Sequence, residues 1–120
     1  PKTDHWLSSA TGISQCTYHL IFLQKAIRVD IEFARKDAVE NKQLFDFFYA
    51  RKNEIEHKFG QPLEWLRLDA KKSSRIEFIL NTDGHNQDLW QSHIAWHLEH
   101  IQKLEQAFKP YMNEAYQVIK

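Results

Sequence analysis

Apolar and charged residues alternate most regularly in the stretch Ala26–Ala34, where every odd position from 27 to 33 is apolar. The even positions between them are Arg28, Asp30 and Glu32. A period of two predicts a strand with one buried face and one charged, solvated face. Two earlier stretches rich in strand-forming residues predict two more strands, Asp4–Ser9 and Thr17–Leu23.

A helical period replaces this alternation after Asp37. The apolar residues that share one helical stripe are Leu44, Phe48, Ile55 and Phe59. Asp37 and Glu40 have the spacing of a capping box, and Gly60 followed by Pro62 is a strong stop signal. The pattern therefore predicts a single helix, Asp37–Phe59.

Two runs rich in strand-forming residues lie within Leu63–Leu80 and flank a short polar tip, which is the pattern of a hairpin. In the second run the apolar residues on one face are Ile76, Phe78 and Leu80. In the first run Leu63 and Trp65 share a face, yet Leu66 and Leu68 are apolar as well. Either both faces of this strand are covered, or a bulge shifts its phase.

A second helical period extends from Asp88 to Phe108. Its apolar stripe is formed by Trp90, Ile94, His97, Ile101, Leu104 and Phe108. Pro110 should end or kink this helix, and Tyr111–Ile119 is apolar enough for a short helix.

The predicted element order β-β-β-α-β-β-α is typical of an α+β fold. We expect a mostly antiparallel sheet of about five strands, with the two main helices packed on one of its faces. The 120 residues suggest a single domain. Because the sequence starts at Pro1 and not at Met, we interpret it as a fragment, the C-terminal module of a longer protein.

The composition narrows the classes of function. The chain has 16 Lys and Arg residues and 16 Asp and Glu residues, so no net charge draws it to nucleic acid or to a membrane. Cys16 is the only cysteine, which excludes an internal disulfide and favours a reducing compartment, the cytoplasm. No apolar run approaches the ~18 residues that a membrane span needs, so we expect no membrane partner.

The polar tip of the hairpin is the best candidate for a binding site. Its residues are Lys71, Lys72, Ser73, Ser74 and Arg75, and Arg67 on the adjoining strand adds to them. Cations and hydroxyls at this density can hold the phosphate oxygens of DNA or RNA. The competing interpretation is a solvated turn whose lysines protect a sheet edge.

Two carboxylates on one strand, Asp30 and Glu32, with Lys36 nearby, suggest a magnesium-dependent nuclease. The spacing argues against this, because nucleases of that kind place Glu and Lys two positions apart, whereas Glu32 and Lys36 are four positions apart. We therefore favour the solvated face of a half-buried sheet.

Three histidines, His93, His97 and His100, have a spacing at which imidazoles can share a metal. No Glu completes a His-Glu-x-x-His motif, and His85 could add a ligand only if its loop folded back. We expect packed histidines and neither a metal nor another cofactor. Cys16 and His19 should lie on opposite faces of one strand, which argues against a thiol–imidazole nucleophile.

The chain also resembles a known family through an ordered set of short matches. They are Arg28-Val29, Leu44-Phe45-Asp46, Ile55-Glu56, Gly60, Pro62-Leu63-Glu64-Trp65, Lys71-Lys72-Ser73-Ser74-Arg75-Ile76, Trp90 and Trp96. Together they are similar to a bacterial C-terminal domain, the domain of unknown function 4268. Its members often follow a nuclease-like domain or belong to defence-associated proteins. The resemblance implies this context and no catalytic residues.

Three hypotheses for the function follow. The first is a non-catalytic accessory domain that binds nucleic acid or a protein, such as the catalytic domain of the same chain. The second is a degenerate or metal-dependent nuclease that uses Asp30, Glu32 and the basic tip. The third is an oligomerisation module that works through the last long helix.

Overall fold

The structure is a computed structural model that describes residues 5–83 and 86–120, and only the backbone of residues 5–8. The strands are β1 (His5–Ala10), β2 (Cys16–Phe22), β3 (Ala26–Phe33), β4 (Glu64–Leu66) and β5 (Ser74–Asn81). The helices are α1 (Ala38–Tyr49), α2 (Lys52–Phe59), α3 (Trp90–Phe108) and α4 (Met112–Ile119), with 3-10 turns at Gln87–Leu89 and Lys109–Tyr111. Asp4 of the first predicted strand, Gly84 and His85 lie outside the described residues.

The five strands form one antiparallel sheet in the order β1-β2-β3-β5-β4. All the helices contribute to one apolar core with residues from a single face of the sheet. The predicted α+β fold with helices on one face is confirmed. No helix within residues 5–83 and 86–120 is long and apolar enough to cross a membrane.

Phe48 of α1 lies at the centre of the core and is fully buried. Its ring stacks on Phe33 of β3, with 5.6 Å between the ring centroids, and lies 5.1 Å from the ring of Phe108 of α3. Phe47 contacts it edge-on at 5.2 Å. One side chain thus links the sheet to two helices, because aromatic rings bury large areas and pack in these geometries.

The prediction of one helix over Asp37–Phe59 was wrong, because the chain breaks between α1 and α2. At the break, the amide of Arg51 donates to the carbonyl of Phe48, three residues earlier. The carbonyl of Phe47 then accepts from the guanidinium of Arg51 at 2.8 Å. That guanidinium also lies 3.7 Å from the centroid of the Phe47 ring. A side-chain donor therefore replaces the missing helical hydrogen bond.

The hairpin strands pair as predicted, but the first strand is short. It ends at Leu66, and residues 67–73 form a loop in which Leu68 has a φ of 56°. Of the two apolar residues that disturbed the alternation, Leu68 therefore lies outside the strand, whereas Leu66 is its last residue and is half-buried. The pairing of β4 with β5 is regular over these three residues, so no bulge is present.

The buried face of α3 differs from the predicted stripe. Its buried residues are His93, His97, His100, Leu104, Ala107 and Phe108. Trp90 and Ile94, which the apolar pattern placed in the core, are 54% and 40% exposed. His97 and His100 each donate from one ring nitrogen to a backbone carbonyl, and Nε2 of His93 lies near the hydroxyl of Thr82. The Nδ1 atoms of His93 and His97 have no hydrogen-bond partner within the described residues. Pro110 follows the end of α3, as predicted.

Candidate functional site

Lys42 of α1 anchors the loop that carries the predicted basic tip. Its ammonium group lies 2.6 Å from the carbonyl oxygen of Arg67, 2.9 Å from that of Leu68 and 2.7 Å from that of Ser73. It also donates to the hydroxyl of Ser74 at 3.0 Å. Burial lowers the pKa of Lys42. Charged donors make strong hydrogen bonds. The single ammonium group of Lys42 therefore holds both ends of the loop against α1.

Asn41, the neighbouring residue, is fully buried and forms the second anchor. Its side-chain amide nitrogen donates to the carbonyl of Arg35 at 3.0 Å and to that of Lys72 at 2.9 Å. Its side-chain oxygen accepts from the amide of Arg35 at 2.8 Å. One amide therefore holds side by side the segment after β3, which contains Lys36, and the loop after β4, which contains Lys72.

The side chains of three of the six predicted tip residues already bind other residues of the domain. Arg67 makes two hydrogen bonds to Asp46, at 2.9 and 3.0 Å, and pairs with Asp69. Hydrogen bonding to Arg67 lowers the pKa of Asp46. Arg75 donates to Glu77 at 2.7 Å, and the buried hydroxyl of Ser74 donates to the carbonyl of Arg67 at 2.8 Å.

The other cations of this region face the solvent. Lys36, Lys71 and Lys72 are exposed, and none of the three forms an ion pair within the described residues. We call these three residues the lysine surface. An open cleft of about 390 Å³ beside it lies between α1 and the loop, and Val39, Lys42, Arg67 and Lys71 contribute to its walls. Ser73 is half-buried, and its carbonyl is held by Lys42.

The face of the sheet opposite the helices is not simply solvated, as the alternation in β3 had predicted. Asp30 lies on this face of the sheet and is fully buried. Its carboxylate accepts from Nδ1 of His19 at 2.8 Å and from Nε of Arg28 at 3.0 Å. Arg28 also lies 3.6 Å from Glu77, which extends the network onto β5.

Sequence reasoning missed His19 because its partner is set by strand register. His19 lies directly opposite Asp30 in the pairing of β2 with β3. Its Nε2 lies 3.0 Å from the hydroxyl of Thr17. The hydrogen bond to Asp30 raises the pKa of His19. Within residues 5–83 and 86–120, no three His, Cys, Asp or Glu side chains are arranged to hold a metal ion.

Cys16 and His19 lie on opposite faces of β2, as predicted. Cys16 is buried in the core under the helices, whereas His19 belongs to the polar face. Burial raises the pKa of the Cys16 thiol to about 11. The thiol is therefore protonated at neutral pH and lies across the sheet from the imidazole, which is the opposite of an activated nucleophile.

The three histidines of α3 are packed among aromatic rings and backbone carbonyls. Nε2 of His97 donates to the carbonyls of Ile21 and Arg28, at 3.1 and 3.2 Å. Nδ1 of His100 donates to the carbonyl of Trp96 at 2.7 Å. Nε2 of His93 lies 3.3 Å from the hydroxyl of Thr82. His85, the fourth residue considered as a ligand, lies outside the described residues.

His97 should make the domain sensitive to acid. Burial lowers its pKa below the ordinary value of 6.5, because no solvent stabilises the imidazolium. A lowered pKa means that the unfolded chain takes up the proton first, so stability present above pH 6.5 is lost as the pH falls. Each such proton contributes a slope of at most about 1.4 kcal/mol per pH unit.

The measurement is the free energy of urea unfolding between pH 5 and pH 8, for wild type and for His97→Gln, whose amide can still donate to the two carbonyls. We expect a shallower acid limb in the variant. His19→Gln is the matched control. The raised pKa of His19 contributes stability at low pH that is lost as the pH rises, so this variant should not have a shallower acid limb. Parallel acid limbs in wild type and His97→Gln would contradict this account.

Comparison with known proteins adds one finding. The model of a protein family described as Domain of unknown function (DUF4268) matches residues 1–112. No curated protein and no solved structure matches the chain.

Proposed function

We propose that this chain, which belongs to the DUF4268 family, is a non-catalytic accessory module that binds the phosphate backbone of nucleic acid. It would act in the cytoplasm of bacteria, for a nuclease-like or defence-associated domain of the same protein. The lysine surface would be the site of contact. The proposal depends on one observation, the exposed and unpaired state of Lys36, Lys71 and Lys72 within the described residues.

Two features of the site support phosphate binding. The chain has no net charge, so any affinity for a polyanion must come from a local group of cations. The loop is also held in place by Lys42 and Asn41, and a loop that is ordered before binding loses less entropy in the complex.

The state of the carboxylates supports an accessory role over a nuclease. The carboxylate of Asp30 already accepts hydrogen bonds from Arg28 and His19, and Glu77 is paired with Arg75. Metal-dependent phosphoryl chemistry needs carboxylate oxygens that are free to bind the ion. We therefore expect the domain to bind DNA or RNA without cutting it, even with Mg²⁺ present.

The test is fluorescence anisotropy with short duplex and single-stranded oligonucleotides at several salt concentrations. We compare wild type with the triple variant Lys36→Ala, Lys71→Ala, Lys72→Ala. Phosphate contacts release counterions, so wild-type binding should weaken as salt rises. The triple variant should bind more weakly, and its salt slope should be flatter by about one for each lysine that no longer reaches a phosphate.

A second triple variant controls for the change in net charge. Lys25→Ala, Lys58→Ala and Lys109→Ala remove three exposed lysines elsewhere on the domain. This control should bind like wild type. Equal reductions of affinity in the two triple variants would mean that total charge matters and the lysine surface does not. Binding to no oligonucleotide at all would contradict the proposal outright.

A further inference from the structure

The cleft beside the lysine surface differs from that surface in its charge. Two cations, Lys42 and Arg67, and two carboxylates, Asp46 and Asp69, contribute to its walls. The ammonium of Lys42 already donates to backbone carbonyls, and the guanidinium of Arg67 is paired with both carboxylates. These charges offset one another, and the carboxylates would repel a phosphate. The anionic backbone of a nucleic acid should therefore follow the lysine surface and stay out of the cleft.

Arg67 gives one wall of the cleft a flat and rigid group. Its Nε and Nη2 donate to Asp46 at 2.9 and 3.0 Å, and its Nη1 donates to Asp69. The hydrogen bonds of a guanidinium lie in its plane, so these carboxylates hold the plane in position without covering its faces. The side chain of Arg67 is 41% exposed. A guanidinium plane held in this way is a surface on which a nucleobase can stack.

Helix α1 forms the opposite wall with an apolar side chain and an amide. Val39 is 62% exposed, and Gln43, four residues later, lies on the same side of the helix. Within residues 5–83 and 86–120, the side-chain amide of Gln43 forms no hydrogen bond. An apolar surface suits the face of a base, and an amide can donate to its edge or accept from it. The cleft volume of about 390 Å³ is at the lower end of the range for small-molecule sites, about 300–1,000 Å³, which suits one planar ring system.

We propose that the cleft takes up one unpaired nucleobase while the lysine surface holds the adjoining phosphates, so that the domain prefers single-stranded nucleic acid to duplex. This inference rests on the proposed function, because the phosphates bring the base to the cleft. Lys71 belongs both to the lysine surface and to the wall of the cleft, so the two sites are continuous. In a duplex the bases are paired and stacked, whereas the bases of a single strand can be turned outward into a site. Because every base has a face that stacks, we expect little sequence preference.

The first test compares a single strand with a duplex by fluorescence anisotropy, using DNA oligonucleotides of equal length at the same salt concentration. Contacts to phosphates alone would favour the duplex, because its charge density is higher. We expect the opposite order, with the single strand bound about tenfold more tightly, an effect of the size that one stacked base produces. A duplex bound as tightly as the single strand, or more tightly, would overturn this inference and leave phosphate binding at the lysine surface intact.

An abasic strand separates the contribution of the base from that of the phosphates. A single-stranded oligonucleotide built from tetrahydrofuran residues keeps every phosphate of the natural strand and has no bases. We expect its affinity to be about tenfold lower than that of the natural strand, with the same dependence on salt, because the same phosphates are contacted. Equal affinity for the two strands would also overturn the inference.

Arg67→Lys tests the cleft itself, because lysine keeps the charge and can pair with Asp46 but has no plane on which a base can stack. Affinity for the natural single strand should fall about tenfold, toward that of the abasic strand, and the salt slope should stay unchanged. Gln43→Ala changes an exposed side chain of the cleft and should also weaken binding. Arg75→Lys is the matched control, because Arg75 pairs with Glu77 and does not line the cleft, and it should bind like wild type.

The outcomes separate the two proposals. Thermal melts show whether each variant is folded. Single-strand affinity that is unchanged in both Arg67→Lys and Gln43→Ala would overturn the inference about the cleft, even if the triple variant of the lysine surface had lost binding. A chain that binds no oligonucleotide would contradict the proposed function and this inference together.

Discussion

Phe48→Ala should destabilise the domain by about 3–5 kcal/mol, the usual cost of deleting a buried aromatic ring. Phe48 is fully buried, stacks on Phe33 and contacts Phe108, so removing its ring leaves a cavity where α1, α3 and the sheet meet. The surrounding rings belong to three different elements and cannot all close the gap. Because small domains are stable by only about 5–15 kcal/mol, a large part of the stability would be lost.

The measurement is urea unfolding followed by tryptophan fluorescence and by circular dichroism. Val39→Ala is the control on the same helix, because Val39 is 62% exposed and should change stability little. A Phe48→Ala protein as stable as wild type would place this ring outside the core.

Lys42→Met should also be strongly destabilising, by about 1.5–3 kcal/mol, as expected when a charged donor to partly buried acceptors is removed. Methionine keeps the length of the stem but has no N–H groups for the carbonyls of Arg67, Leu68 and Ser73. The loop would lose its main anchor. We expect trypsin to cut faster after Lys71 and Lys72, which lie in that loop.

Lys52→Met provides the control, because the ammonium of Lys52 lies over the ring of Tyr49, 5.5 Å from its centroid, and holds no loop. It should change neither stability nor the rate of cleavage in the loop. If Lys42→Met behaved in the same way, the loop would be held by Asn41 and Ser74 alone.

Glu56 shows how the segments of the family resemblance act together. Its carboxylate accepts from the amide of Leu63 and from the indole N–H of Trp65, both at 2.9 Å. Between them, Gly60 ends α2 with a φ of 101°. The short matches at Glu56, Gly60 and Trp65 therefore describe one structural unit, the turn from α2 into β4.

Local sequence patterns predicted the helices and strands because each of these elements depends mainly on residues close by in the sequence. The alternation in β3, the stop at Gly60 and the capping residue Asp37 all depend on residues a few positions away. They placed the strands and most helix ends correctly. The break at Arg51 was missed because no Pro or Gly marks it in the sequence. The side chain of Arg51 supplies the hydrogen bond that the backbone gives up there.

The candidate site depended on interactions between distant parts of the chain. The spacing of Lys71, Lys72 and Arg75 was enough to predict that they cluster, but the packing of the folded chain selected which cations stay free. Arg67 is paired with Asp46, 21 residues away, and Lys36 joins the surface through Asn41. Such pairings depend on how helix and loop pack, which local spacing does not encode.

The same distinction explains the two faces that the sequence misjudged. The residue pattern was sufficient to establish that β3 alternates and that α3 is amphipathic. Strand register determined that Asp30 would meet His19 and be buried, and packing determined that His93 would be buried while Ile94 faced solvent. The reason is that burial of a polar group depends on the partner it finds, and that partner lies 11 residues along the chain from Asp30 and, for His93, 11 residues away at Thr82.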